Sequence, residues 1–342
     1  MIRKIFTAAL LLMMLLATGC GGGDKPADTG DKKTNKPGSK LVIYTSMKES
    51  LIGGIVEGFK AKYPDIDVDW QSAGAGKIMA KLEAERQSGH LMADIIWTSE
   101  VPDFYQMKNE GLLEQYKPIV FDELLNPFDD YDGSFTAARL GTLGIVINTN
   151  KVTTEPTSWE TIATDATYKD SFGIADPALS GTAFMSIALL EKQFGWDYIV
   201  RLHDNGATKS KGSGRVVDDT ADGVLNACLG VDYITAGKID KGAPLKMVYP
   251  HELLMVPSPV AIFKDAEHKD NAKKFVDYLL TQEAQQKVAE AGTVPVRRDV
   301  TMPERYNLPN PEDALANGIK INYSEVLDKK DDTIKKFSNL FK

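Results

Sequence analysis

The sequence is poor in the residues that build metal centres and disulfide frameworks. Its 342 residues include two cysteines, Cys20 and Cys228, and four histidines. With Cys20 committed to another role, Cys228 has no partner, so no disulfide staples the fold. Cys228 reads instead as a small buried apolar residue. His90, His203, His251 and His268 nowhere fall into the H-E-x-x-H spacing of a zinc helix. G-x-S-x-G and the phosphate-cradling G-x-x-x-x-G-K are also missing. A secreted hydrolase needs a nucleophile with a positioned base, or a metal pair, and the sequence offers neither pattern. Basic excess is lacking as well: 40 Lys and Arg stand against 48 Asp and Glu, a net charge of −8. An acidic balance argues against a nucleic-acid partner.

What is present begins at the N-terminus. Residues 1–19 read as a secretory signal, with Arg3 and Lys4 ahead of the apolar stretch Ile5 to Leu16 and small residues up to Cys20. The apolar stretch is too short to span a membrane in the mature protein. Cysteine at the cut resembles the bacterial lipobox, which implies that Cys20 becomes a lipidated N-terminus. Loss of Arg3 and Lys4 with the signal leaves 38 basic and 48 acidic residues, a net of −10. Residues 20–39 hold almost nothing apolar and cannot bury enough surface to fold. As a flexible tether they would span roughly 25 Å root-mean-square, enough to stand a domain off the membrane.

The body, from about residue 40, is long enough for two domains and equally compatible with one. Strand and helix signals alternate, which argues for an α/β fold. Lys40 to Tyr44 is a short apolar strand, and Ile52, Ile55, Val56, Phe59 and Tyr63 mark a helix after it. Ile66 to Trp70 alternates as a second strand, followed by a Gly/Ser loop and a helix from Lys77 to about Ser88. Ala93 to Trp97 is a third strand, with a helix over Val101 to Asn109. Three strand ends thus deliver small polar residues: Thr45-Ser46, Ser72 to Gly76, and Thr98-Ser99. In open α/β sheets the carboxyl ends of strands line the ligand crevice.

Further on, Arg139 to Asn148 reads as an extended crossing segment and Trp159 opens a helical piece. Val216 to Asp219 reads as a strand, Ala221 to Leu229 as its helix, and Val231-Asp232-Tyr233 as the end of another strand. Pro257 and Pro259 make Leu253 to Phe263 a second crossover. Two amphipathic helical stretches close the chain, marked by Ala272, Phe275, Val276, Leu279 and Leu280, then by Leu327, Ile334, Phe337 and Phe341. Their stripes face the core and contain no cofactor box.

The stretch Ala175 to Phe184, ADPALSGTAF, organises the rest. Asp176-Pro177 is turn chemistry, and Ser180-Gly181-Thr182 opens a segment of helical periodicity. Serine before such a run is a natural N-cap, since its hydroxyl accepts a first-turn amide. Gly181 removes a side chain where a ligand approaches the backbone. Free amides and the positive end of the helix dipole together favour an anion.

Taken in order, the lipobox, the tether, LVIYTS, FKAKYPDIDVDW, KLEAERQSGHLMADIIWTSEVPDF, GLLEQY, the DP-x-x-SGT helix start, VPSPVAIF and KKFVDYLLTQEAQQKVAEAGTVPVR resemble the extracellular solute-binding proteins of ABC importers. The resemblance is to the branch containing ferric-ion, aminoethylphosphonate and sugar-phosphate binders. It covers about residues 40 to 300. It implies a two-lobed periplasmic-binding-protein fold of type II with two hinge-crossing segments. Lobe one would be 40–141 plus 260–310, lobe two 142–259, with a helical segment at 311–342 whose last helix packs on lobe two. It also implies an extracytoplasmic monomer, lipid-anchored through Cys20, without cofactor, whose partners are an ABC permease and its ATPase.

Two ligand chemistries remain open in the sequence. Ferric binders of this branch place adjacent tyrosines late in lobe two, with His and Glu from lobe one. Here the tyrosine position reads Asp232-Tyr233-Ile234, the His position falls near Met47, and the Glu position falls near Ser99 with Glu100 beside it. A poorer Fe(III) site could use Tyr233, Glu100 and Glu252, all hard oxygen donors. The alternative is a phosphorylated sugar or phosphonate held at Ser180, Gly181 and Thr182. Thr45, Ser46, Ser72, Gly74, Gly76, Thr98 and Ser99 would assist, with positive charge from Arg139 or Lys77. Asp232, Tyr233, His251 and Glu252 would then meet the ligand's other end. The broken tyrosine pair and the SGT start favour the anion. A secreted phosphoester-acting enzyme and a structural surface lipoprotein are the rivals from other classes.

Overall fold

The computed structural model describes residues 39–342; the expected signal, the tether up to residue 38 and Cys20 lie outside the described residues. The chain opens with β1 (Lys40–Thr45), buried at every position after the first, as a central strand covered on both faces must be. Next come α1 (Glu49–Lys62), β2 (Asp67–Ser72), α2 (Ala75–Gln87), β3 (Ile95–Trp97) and α3 (Val101–Asn109). α1 turns Leu51, Ile52, Ile55, Val56 and Phe59 inward, a stripe at helical spacing.

The middle of the chain holds β4 (Thr136–Ala137), β5 (Thr142–Asn148), α4 (Trp159–Thr164), β6 (Phe172–Ala175), α5 (Gly181–Phe194), α6 (Trp196–Asp204), β7 (Thr208–Ser210), α7 (Ser213–Ala221), β8 (Ala227–Val231), α8 (Asp232–Ile239), β9 (Leu245–Val248) and β10 (Leu254–Met255). Here the structure corrects the sequence reading. Val216 and Val217 are helical, and the strand comes after them. Two adjacent valines favour a strand, but packing overrides that preference here: Val216, Val217 and Thr220 form a buried i, i+1, i+4 stripe on α7. Asp232 and Tyr233 likewise begin α8 rather than end a strand. The chain finishes with β11 (Pro259–Ile262), α9 (Lys269–Leu279), α10 (Gln282–Glu290), α11 (Pro311–Asn317), α12 (Tyr323–Asp328) and α13 (Lys330–Leu340).

The strands make two sheets. The first has the order β2-β1-β3-β11-β4, and the second β10-β5-β8-β6-β7 with β9 also on β5. β1 is parallel to β2 and β3, and β6 is parallel to β7 and β8. Each sheet with its helices forms a lobe. Two segments cross between the sheets, residues 138–141 and 256–258, and they bond to each other. The amide of Ala138 donates to Ser258 at 2.9 Å, that of Ser258 to Arg139 at 3.0 Å, and that of Val256 to Gly141 at 2.7 Å.

The C-terminal segment touches both lobes. Lys336 of α13 pairs with Glu191 of α5, and Phe341, just past the end of α13, packs edge-on against His203 of α6. At the other end Lys330 reaches Glu100 and Asp103 beside α3. α12 packs on α3, with Tyr323 stacked on Tyr105.

Candidate functional site

A cavity of about 490 Å³ lies between the lobes. Its walls are the carboxyl ends of six parallel strands, three from each sheet. One wall comes from the β1–α1 turn (Ser46, Lys48), the β2–α2 turn (Ser72 to Ala75, then Lys77) and Ser99 after β3. The other comes from the β6–α5 turn (Leu179 to Thr182), the β7–α7 turn (Lys211 to Arg215) and the β8–α8 junction (Val231, Tyr233, Ile234). Convergence of strand ends into one crevice follows from parallel topology, because every strand-to-helix turn opens on the same edge.

The N-cap residues of five helices line this cavity: Lys48 for α1, Gly74 for α2, Ser180 for α5, Gly212 for α7 and Val231 for α8. Only α5 has a side-chain cap, Ser180 accepting from the amide of Ala183. The first-turn amides of an α-helix have no partner within the helix. Those of Gly181 and Thr182 carry no hydrogen bond among the described residues. Each helix start is equivalent to roughly half a positive charge; that of α8 is met by its own Asp232, whose carboxylate accepts from the Tyr233 amide at 2.7 Å. At the meeting of α5 and α7, three hydroxyls close a triangle: Ser180 to Ser213 at 2.7 Å, Thr182 to Ser213 at 3.0 Å and Ser180 to Thr182 at 3.0 Å. Each can rotate its proton toward a ligand oxygen.

The charges have one sign. Lys48, Lys77, Lys211 and Arg215 line the cavity, and no Asp, Glu or His does. Arg215 is partly spent on Asp219 at 2.5 Å. Lys48, Lys77 and Lys211 make no ion pair among the described residues.

The lobes touch along a seam that requires glycine. A Cβ on Gly74 would lie 2.3 Å from the Leu179 carbonyl oxygen, and one on Gly76 would lie 2.7 Å from that of Ala178. On the facing side, a Cβ on Gly181 would meet the Cβ of Glu100 at 2.6 Å. No side chain fits at these separations, so the turns before α2 and α5 meet backbone to backbone.

Of the residues singled out in the sequence, the structure brings Ser46, Ser72, Gly74, Lys77, Ser99, Ser180, Gly181, Thr182 and Tyr233 to the cavity. The others serve elsewhere. Thr45 is buried and braces its own turn, donating to the Trp97 carbonyl at 2.7 Å and accepting from the amide of Met47. Thr98 is buried with its hydroxyl unpartnered among the described residues. Gly76 belongs to the seam. His251 is exposed, and Glu252 offers its backbone carbonyl to Trp159 at 2.9 Å. Arg139 and Asp232 are buried in a pair with each other at 3.1 Å, beside the crossing segments. Arg139 also donates to Thr293 and Ser99, while Asp232 accepts from Thr142 and Thr293. Buried charges need such partners, and these are spent on the hinge rather than on a ligand.

The Fe(III) donors are not gathered either. The Glu100 carboxylate is bound to Lys330, and Glu252 is off the cavity. Burial raises the Tyr233 phenol. Its oxygen accepts from the amide of Lys48, and the Arg139 guanidinium covers its ring at 5.0 Å. Among the described residues no group of three or more His, Cys, Asp or Glu could hold a metal ion.

The residues missed in the sequence are Lys48 and the Lys211 to Arg215 turn. KGSGR is a small-residue helix start of the same kind as SGT, hidden because Val216-Val217 was read as a strand. The model of the family described as bacterial extracellular solute-binding protein matches residues 91–325. The chain belongs to this family. An uncharacterized protein of Haemophilus influenzae is 30% identical to this solute-binding protein over 267 residues, 72% of this chain and 74% of the relative. A putative 2-aminoethylphosphonate-binding periplasmic protein of Salmonella typhimurium is 24% identical over 258 residues, with 72% and 74% covered. Among solved structures, the periplasmic binding protein AfuA of Actinobacillus pleuropneumoniae, with fructose-6-phosphate bound, superposes with a TM-score of 0.76 at 26% identity. That match covers 88% of this chain and 98% of the other. The type II two-lobed architecture of such proteins is the one seen here.

Proposed function

We propose that this solute-binding protein captures a small anionic solute, a phosphorylated sugar or a phosphonate, in the interlobe cavity and delivers it to an ABC permease. The observation that carries this reading is the lining: five helix starts, four cations and no carboxylate around one 490 Å³ space. A phosphoryl group takes its hydrogen bonds from amides and hydroxyls, and its charge is balanced by the dipoles and the lysines. The aminoethylphosphonate and fructose-6-phosphate named for two relatives are of this chemistry. Binding is capture without turnover in this reading, as the role of the solute-binding family suggests. Cys20, as a lipidated N-terminus, tethers the protein outside the cytoplasm. The permease distinguishes loaded from empty protein because the solute binds the closed form better than the open one.

A thermal-shift series with fructose 6-phosphate, 2-aminoethylphosphonate and Fe(III)-citrate tests the reading. Stabilisation by a phosphorylated compound, without hydrolysis of a chromogenic phosphate ester, is the expected outcome. Stabilisation by iron alone would replace this reading with the ferric one.

A further inference from the structure

We infer that the solute carries a second acidic group besides its phosphoryl group, and no ammonium. This rests on the anion reading above and narrows it. The first ground is the charge count. A phosphate monoester brings at most two negative charges near pH 7. The lining offers three lysines without ion pairs, plus Arg215 shared with Asp219. A monophosphate seated at the Ser180, Thr182 and Ser213 hydroxyls lies beside Lys211 and Arg215, which belong to the same wall. Lys77 follows the start of α2, which abuts the α5 turn at the seam, so the cation left over is Lys48 on the β1–α1 turn.

Space is the second ground. Beyond Lys48, Gly214 and Ile234 the cavity adjoins a second hollow of about 390 Å³ that shares these three residues. Lys48 therefore stands where the two spaces meet. A molecule longer than one phosphoryl group and a few carbons would bring its far end to Lys48.

The third ground is what an ammonium would lack. The cavity has no carboxylate, and the face of its one aromatic ring, Tyr233, carries the Arg139 guanidinium. In the adjoining hollow, Asp218 is paired with Lys238, and Asp240 is held by Arg305 and Tyr306. Glu100, behind Gly181, is held by Lys330. A ligand amine would enter a field of like charge with no free acceptor of opposite sign, a cost that selects against it.

Calorimetry on the purified protein with fructose 6-phosphate, fructose 1,6-bisphosphate, 3-phosphoglycerate and 2-aminoethylphosphonate tests this. The bisphosphate or the phosphocarboxylate is expected to bind at least about tenfold tighter than fructose 6-phosphate, and the aminophosphonate at least about tenfold weaker. Lys48→Gln is expected to reduce the advantage of the second acidic group to less than about threefold, and Lys48→Arg to retain it. Equal affinity for fructose 6-phosphate and both diacids, or preference for the aminophosphonate, overturns the inference and leaves the anion reading standing. Binding of none of the four overturns both.

Discussion

Arg139 and Asp232 show how a residue's role depends on its surroundings more than on its type. Both are charged, and both sit near a cavity. They are almost fully buried, 93 residues apart in sequence and 3.1 Å apart in space. Removing one partner of such a pair leaves a buried charge uncompensated, which costs about 3–5 kcal/mol. Arg139→Met is therefore expected to destabilise the protein by that amount in urea unfolding; a loss under about 1 kcal/mol would place the pair outside the hinge's support. A second buried cluster makes a pH prediction. Glu100 and Asp103 share one cation, Lys330, and burial together with Asp103 raises Glu100 to about 7. Burial raises Asp103 as well. A carboxyl raised on folding holds its proton in the native state after the unfolded chain has released it. The native state then binds more protons, and stability falls as pH rises from about 4.5 to about 7, by roughly 1 kcal/mol per pH unit. Glu100→Gln is expected to flatten that slope in denaturation measured at pH 5, 6 and 7. An unchanged slope would contradict the assignment. Neither cluster is legible in the sequence, because the partners lie 93 and 230 residues apart along the chain and no local pattern joins them.

At the scale of elements, the starts of helices carry the site. SGT was readable as the opening of α5 because turn chemistry, an N-cap hydroxyl and helical periodicity coincide within ten residues. The strand ends at Ser46, Ser72 and Ser99 were readable for the same reason: short apolar strands followed by small polar residues. The start of α7 was not, because two adjacent valines favour a strand and only the packed structure overrides that preference. The seam between the α2 and α5 turns gives a prediction. Gly76 is in the first turn of α2, where alanine is a better helix former by about 1 kcal/mol. Its Cβ would nevertheless fall 2.7 Å from the Ala178 carbonyl oxygen of the other lobe. Taking the seam as a contact of the closed form, Gly76→Ala is expected to weaken solute affinity roughly tenfold or more while leaving the open, unliganded protein at least as stable. Calorimetry beside a thermal melt separates the two effects. An unchanged affinity would mean that the seam does not close on the ligand.

For the whole molecule, alternating strand and helix signals made the α/β class legible, while two lobes around a common crevice were implied only by the family resemblance. The straddling path of the C-terminal segment was not legible, since its helices carry ordinary amphipathic stripes that name no neighbour. Solute that binds one conformation stabilises it by mass action, about 2.7 kcal/mol at a hundredfold excess over Kd. Small-angle scattering is expected to give a smaller radius of gyration with saturating fructose 1,6-bisphosphate than without. An identical radius would mean that the lobes do not move. The two crossing segments shape that motion. Because they are laced together by Ala138, Ser258 and Val256 amides, they behave as one ribbon rather than two independent strings. A ribbon bends across its flat face far more readily than it shears or twists, so closing jaws would swing along a single arc and arrive each time in the same alignment.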